Sequence, residues 1–92
     1  MAVQPLRNPA HDPRDPVIHD LPPLRFEGQL VTVRLSLRLG EEGDWRGRFL
    51  FVDPEGQRET AEIICARSEL DLWESVRGLG EHHLRDLYRS VG

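Results

Sequence analysis

A strict two-residue alternation between Leu30 and Leu39 constrains the fold more than any other feature of this sequence. Polar residues occupy every second position, and the aliphatic residues between them are Val31, Val33, Leu35, Leu37 and Leu39. Because successive side chains of an extended chain point to opposite faces of a sheet, the aliphatic set shares one face. The segment is therefore predicted to be a half-buried β-strand.

Two more strands are predicted after this one. The glycine- and acid-rich connector 40–44 is typical of an exposed hairpin loop, and it leads into a strand from Trp45 to Val52. A second turn at 53–56 contains proline and glycine and leads into a strand from Arg58 to Ala66. These segments predict an antiparallel meander.

The predicted register sets the inner residues opposite one another. Leu35 lies opposite Phe49, and Phe49 lies opposite Ala61. Gly47 is placed beside Ile63, whose bulk would cover the missing side chain. On the outer face, the same register sets two further pairs opposite each other, namely Arg48 with Glu62 and Arg38 with Arg46.

The N-terminal segment 1–23 carries six of the seven prolines, so a long helix or ladder is not expected there. It is predicted to be a flexible tail, with only Val17-Ile18 docking on the domain edge. Residues 24–92 are predicted to form a single domain. A short strand around Leu24 and Phe26 is expected to end at a bulge or turn near Gly28.

A C-terminal helix is predicted from the helical spacing of apolar residues between Ser68 and Val91. Ser68 is expected to cap its N-terminus. Gly78 and Gly80 either kink this helix or permit close approach to the strands, and close approach at Gly80 is favoured. The predicted fold is α+β: an antiparallel three- to four-stranded β-meander covered on one face by this helix, with a flexible proline-rich N-terminal tail.

Composition limits the class of protein. The net charge is −4, and no apolar run approaches the roughly 20 residues of a membrane-spanning helix. The N-terminus lacks the apolar stretch of a secretory signal, so a cytoplasmic location and no membrane partner are expected. A single cysteine, Cys65, excludes a disulfide framework or a cysteine-based zinc cluster within one chain.

Candidate catalytic residues are few. His82 and His83 are adjacent, and adjacent side chains on a helix point about 100° apart, so one metal ion would not take both. His83 is expected at the sheet border and His82 in solvent. Cys65 alternates with Ala61 and Ile63 and is expected to be a buried thiol. We therefore expect no metal, no cofactor and a non-enzymatic role.

The outer face of the predicted sheet is the candidate binding surface. It is expected to gather four arginines and three aliphatic side chains, namely Arg34, Arg38, Arg46, Arg48, Leu50, Val52 and Ile64. One interpretation is a solvated face whose arginines pair with Glu62, with Glu27 or with the acidic tail. The other is a binding surface, because exposed arginine mixed with aliphatic side chains is typical of protein interfaces.

The functional hypothesis is a small interaction module that self-associates or binds another protein through this face or an edge strand. Covering an edge strand and the aliphatic part of the outer face would add to a small core. The alternative is a nucleic-acid-binding regulator that uses the arginines. It is disfavoured because the chain is acidic and the face lacks interleaved aromatics. No motif is specific enough to name a family.

Overall fold

The computed structural model describes residues 14–91 of the chain. Five strands precede two helices: β1 (Val17–Phe26), β2 (Gln29–Leu39), β3 (Trp45–Asp53), β4 (Gly56–Glu59), β5 (Ile64–Ala66), α1 (Glu69–Arg77) and α2 (Glu81–Ser90). The strands form one antiparallel sheet in the order β1-β2-β3-β4, and β5 also pairs with β3. The predicted α+β class and the antiparallel meander are confirmed.

The last predicted strand is interrupted, and both of its halves pair with β3 one residue away from the predicted register. β4 pairs with one half of β3 and β5 with the other half. Between them, Thr60 takes the place predicted for Ala61: its amide donates to the Phe49 carbonyl at 3.0 Å, and its hydroxyl oxygen accepts from the Phe49 amide at 3.0 Å. Gly47 consequently pairs with Ile64 rather than with Ile63. The predicted pairing of Leu35 with Phe49 is confirmed.

The first strand begins earlier than predicted, so the flexible-tail prediction is wrong for residues 19–23, whereas the predicted docking of Val17-Ile18 on the domain edge is confirmed. Those residues lie in β1, which pairs with β2 from Val17 onward. The register shifts between Leu21 and Leu24, and the two residues within the shift are Pro22 and Pro23. Because β1 is an edge strand, a proline at such a shift removes few ladder hydrogen bonds. The rest of the predicted tail, residues 1–13, lies outside the described part of the chain.

The turn between β1 and β2 follows the prediction near Gly28. Phe26 pairs with Gln29, so Glu27 and Gly28 form a two-residue loop. Their φ angles are +50° and +85°, which matches the hairpin turn with left-handed residues at both central positions. This turn sets the register in which Leu24–Phe26 of β1 pair with Gln29–Val31 of β2.

The C-terminal segment is two helices, so the prediction of one helix from Ser68 to Val91 is wrong. The chain leaves the helix at Gly78 and re-enters it after Gly80, whose amide donates to Nδ1 of His83 at 3.1 Å. The predicted cap is confirmed, because the hydroxyl oxygen of Ser68 accepts from the Asp71 amide at 3.0 Å.

Close approach of a helix to the sheet occurs at Gly47 and not at Gly80. A Cβ atom on Gly47 would lie 3.3 Å from Leu35 Cδ1 and 3.6 Å from Leu72 Cδ1. The three atoms nearest to a Cβ on Gly80 would belong to side chains of α2 itself, those of His82 and His83. The helical segment thus breaks at Gly78 and Gly80, whereas the strand glycine makes room for α1.

The core lies between the inner face of the sheet and the two helices. Its buried residues come mostly from β1, β2 and β3, with one anchor from each helix; they are Leu24, Val31, Val33, Leu35, Leu37, Phe49, Phe51, Ile64, Leu72 and Tyr88. Leu72 is the buried residue of α1, and Tyr88 is the buried residue of α2. The aliphatic face predicted for β2 is therefore confirmed as a core face.

Tyr88 fastens α2 to the turn between β3 and β4. Its hydroxyl donates to Oδ2 of Asp53, whose side chain is only 4% exposed. Its ring packs edge-on against Phe26 at 4.9 Å between centroids, and the Arg58 guanidinium lies 5.8 Å from the ring centroid. This hydrogen bond, with burial opposing it, lowers the pKa of Asp53, and the same bond raises the pKa of Tyr88.

We expect the Tyr88→Phe variant to be less stable at neutral pH and to have a shallower acid limb of stability. A carboxyl whose pKa is lowered by folding stabilises the fold above its unfolded pKa, and that stabilisation is lost as pH falls through the folded pKa. Removing the Tyr88 hydroxyl removes the main cause of the Asp53 shift. Urea unfolding between about pH 7 and about pH 2 measures both effects.

Asp44 and Glu62 also have lowered pKa values, so some acid destabilisation is expected to remain in this variant. An Asp53→Asn variant provides the control, because it should flatten the same part of the acid limb. An acid limb unchanged in Tyr88→Phe would show that Tyr88 does not control the titration of Asp53.

Candidate interaction surface

The outer face of the sheet lies opposite the helices and carries the four arginines predicted for it. Arg34 and Arg38 alternate with the buried residues of β2, and Arg46 and Arg48 lie across from them on β3. Arg38 pairs directly with Arg46 across the hairpin, as the register predicts. Two like charges in this position require carboxylates nearby, and the structure provides one for each.

Arg38 is held by Glu62 in a two-pronged ion pair. Its Nε atom lies 2.5 Å from Oε2 of Glu62, and its Nη2 atom lies 2.7 Å from Oε1. Glu62 belongs to the interruption between β4 and β5, and its side chain is 17% exposed. The hydrogen bond from Arg38 lowers the pKa of Glu62, and the same bond raises the pKa of Arg38.

Asp44 holds Arg46 and also accepts from Cys65. The Nε atom of Arg46 lies 2.9 Å from Oδ2 of Asp44, and the same oxygen is 3.1 Å from the Cys65 sulfur. The hydrogen bond from Cys65 and that from Arg46 lower the pKa of Asp44, and the Asp44 carboxylate raises the pKa of the thiol. A raised pKa leaves the thiol protonated and poorly nucleophilic at neutral pH.

The predicted burial of Cys65 is therefore wrong. The side chain is exposed and lies on the outer face, beside Arg46. The cause is the tight turn after β3, where Asp53 pairs with Gly56 rather than with Gln57 as the predicted register requires. A strand that slips by one residue exchanges its two faces. The same slip moves Ile64 from the predicted outer face into the core.

The two remaining arginines also have acidic neighbours on this face. Arg48 lies 2.5 Å from Glu59 and 3.8 Å from Glu62, measured between guanidinium nitrogen and carboxylate oxygen. Arg34 lies 3.1 Å from Asp20 on the edge strand. The prediction that Arg48 stands opposite Glu62 is corrected: Glu62 lies in the interruption between β4 and β5 and is in no ladder with β3, although the two charged groups still approach each other.

The aliphatic part of the outer face is smaller than predicted. Leu50 pairs with Arg34 on one side and with Glu59 on the other, and it is buried. Val52 is half-buried. With Ile64 in the core, the exposed aliphatic side chains of this face are instead Ile18 of β1 and Leu30 of β2, which lie beside the arginine-carboxylate pairs.

Two grooves flank the helices on the inner side of the molecule. The β5 groove has a volume of about 490 Å³ and runs between Ile63–Cys65 and the face of α2 that carries His83 and Leu87. The β1 groove has a volume of about 390 Å³ and is lined by Leu21–Leu24 and by Trp73. Neither groove was predicted, because both depend on where the helical segment breaks.

The predicted positions of the two histidines are half right. Both side chains are exposed, so His82 lies in solvent as expected, whereas His83 is not packed at the sheet border but lines the β5 groove. Within residues 14–91, no three histidine, cysteine or acidic side chains come together in an arrangement that would hold a metal ion. No helix in that range has the length and apolar character needed to cross a membrane.

Comparison with known proteins adds no relative to this description. No protein-family model matches the chain, and neither a curated protein nor a solved structure gives a significant match.

Proposed function

We propose that this chain is a cytoplasmic, non-enzymatic interaction module that self-associates through the outer face of its sheet. The observation that carries the proposal is the pairing of each of the four predicted arginines, Arg34, Arg38, Arg46 and Arg48, with a neighbouring carboxylate. The face thus presents both signs of charge in a fixed pattern. A second copy rotated by a two-fold axis presents the same pattern, as isologous dimers require.

The arrangement of the ion pairs favours a protein partner over nucleic acid. The guanidinium of Arg38 has two of its nitrogens committed to Glu62, and those of Arg46 and Arg48 each donate to an acidic neighbour. A phosphate group would have to displace these carboxylates. It would also approach a face on which acidic and basic groups alternate, within a chain of net charge −4. Charges of both signs instead support pairing with a matching protein surface.

The test is the oligomeric state of the purified protein over a range of concentrations and salt. We expect sedimentation velocity to show a reversible dimer that weakens as ionic strength increases, because exposed ion pairs are screened by salt. The variant Thr32→Arg places a long side chain on the outer face at an exposed position, opposite Val52 at one end of the β2–β3 ladder. It should abolish the dimer while leaving the circular dichroism spectrum unchanged.

Leu70→Arg is the matched control, because Leu70 is an exposed residue of α1 on the other side of the molecule. It should associate like the unmodified chain. A strict monomer at high micromolar concentration, or equal association of both variants, would overturn the proposal. Retention of DNA at low salt that is lost in a variant with Arg38 and Arg46 both changed to glutamate would favour the nucleic-acid hypothesis instead.

A further inference from the structure

The two grooves beside the helices arise from the same geometry. Helices α1 and α2 are short, with 9 and 10 residues, and both lie on the inner face of the sheet. The sheet is four strands wide along its length, because β4 and β5 pair with successive parts of β3. They cover the middle of the inner face and leave an apolar channel along each edge. Each channel is bounded by an edge strand on one side and a helix on the other. A groove of this kind accepts an extended peptide that also pairs with the edge strand.

The two edges differ in what they offer to such a peptide. The β1 groove is lined by Pro22 and Pro23, which have no amide hydrogen to donate and which coincide with the register shift. Proline and irregular pairing are the features by which sheet edges avoid added strands. The β5 groove has no proline among its lining residues, which include Ile63, Ile64 and Cys65. The β5 edge is therefore the one able to pair.

The direction of the backbone amides and carbonyls of β5 supports pairing at this edge. Odd-numbered residues of β3 direct their amides and carbonyls toward the β4–β5 edge, as the hydrogen bond from the Thr60 amide to the Phe49 carbonyl shows. Ile64 is paired with Gly47, so its backbone groups face β3. Since the direction alternates along an antiparallel ladder, the amide and carbonyl of Cys65 face away from the sheet. They are positioned to bond a further strand.

The chemistry of the groove defines the peptide that fits. Its floor is apolar, with Ile64, Leu79 and Leu87, and its rim carries one acidic residue, Asp86. The half-exposed side chain of Ile63 lies at its mouth. An extended segment with apolar residues at alternate positions would place them on this floor. A basic residue at another of these alternate positions would lie on the same face of the segment and complement Asp86 and the net negative charge of the chain.

We propose that the β5 groove binds an extended segment of another protein as an added strand, with alternate apolar side chains in the groove and a basic residue against Asp86. This surface lies on the opposite side of the sheet from the face assigned to self-association. The two proposals are therefore independent, and each is tested without the other.

The probe is the synthetic peptide Ser-Val-Ser-Val-Ser-Arg-Ser, whose two valines and arginine share one face of an extended strand; it is titrated into the ¹⁵N-labelled full chain and followed by NMR. We expect amide shifts to concentrate at residues 63–66 and along the groove side of α2. A second version of the peptide is N-methylated at the residues whose amides would face β5. It cannot donate hydrogen bonds to the backbone of β5 and should bind at least about tenfold more weakly. Shifts confined to the β1 groove, or equal binding of the methylated peptide, would overturn the proposal.

Two charge reversals on α2 form a matched pair for this experiment. Asp86 and Glu81 are both exposed acids, each near an arginine further along the helix, at 3.3 Å and 3.6 Å respectively. Asp86 lines the β5 groove and Glu81 lines the β1 groove. Asp86→Arg should weaken peptide binding by up to about fivefold, the effect of one exposed ion pair, and Glu81→Arg should not. Equal effects of the two reversals would exclude Asp86 as the basic residue's partner.

Discussion

Leu72→Ala is expected to lower the free energy of unfolding by about 2–5 kcal/mol, the range measured when a fully buried leucine is truncated. Leu72 is 0% exposed and is the buried residue of α1. Its methyl groups lie over Gly47, so truncation leaves a cavity between the helix and β3. Small domains have only about 5–15 kcal/mol of stability in total, so the variant should be close to its unfolding threshold.

Leu70→Ala supplies the control within the same helix. The residue type and the substitution are the same, but the Leu70 side chain is 63% exposed. Its loss should change stability by less than about 0.5 kcal/mol. Urea titrations of both variants, followed by circular dichroism, measure the difference. A Leu72→Ala variant as stable as Leu70→Ala would mean that α1 does not dock on the sheet as described.

Hydrophobic alternation predicts a strand reliably where one face is uniformly aliphatic, and β2 shows this. Its buried and exposed residues follow the predicted pattern from Val31 to Leu37. The pattern fails after β3, where Asp53 pairs with Gly56 and the last strand slips by one residue from its predicted register. The length of a hairpin loop leaves no trace in the order of apolar residues, yet this slip is enough to exchange the faces of Ile64 and Cys65. The Thr60 hydroxyl, which accepts from the Phe49 amide, interrupts the ladder further on without exchanging the faces again.

Proline-rich sequence at the N-terminus misleads for a related reason. Prolines at positions 16, 22 and 23 suggest an irregular tail, yet the residues between them form an edge strand. An edge strand has one side free of hydrogen bonds, so it tolerates proline where a central strand does not. The distinction depends on which strand lies outermost, and only the assembled sheet shows this.

The candidate surface was predicted in its arginines and in part of their partners: Glu62 and the acidic N-terminal segment, which supplies Asp20, were expected, whereas Asp44 and Glu59 were not. The positions of Arg34, Arg38, Arg46 and Arg48 follow from the two-residue period alone. Asp44 lies next to the hairpin loop, and its hydrogen bond to Arg46 depends on the loop geometry. The grooves depend on the helix break at Gly78–Gly80, which the helical spacing of apolar residues does not reveal.

Gly47→Leu is expected to destabilise the domain by about 1–3 kcal/mol, because it inserts a side chain into a packed interface. A Cβ at this position already lies 3.3 Å from Leu35 Cδ1, and the atoms beyond it would enter the space occupied by Leu72. A leucine prefers strands more than glycine does, which offsets part of this loss. Urea unfolding of Gly47→Leu beside Gly47→Ala separates the two effects, since alanine adds only the Cβ.

The double variant Gly47→Leu with Leu72→Ala moves one leucine side chain from the helix to the strand and keeps the core volume nearly constant. Because each change relieves the defect of the other, the double variant should be more stable than the sum of the single effects predicts, by about 0.5–3 kcal/mol.

The control pairs Gly47→Leu with Val31→Ala. Val31 is buried six residues from Leu37, the β2 partner of Gly47, and roughly 20 Å along the strand. The effects in that pair should add within about 0.5 kcal/mol. Additivity in both pairs would show that Gly47 and Leu72 do not share an interface, and the docking of α1 on β3 would then have to be abandoned.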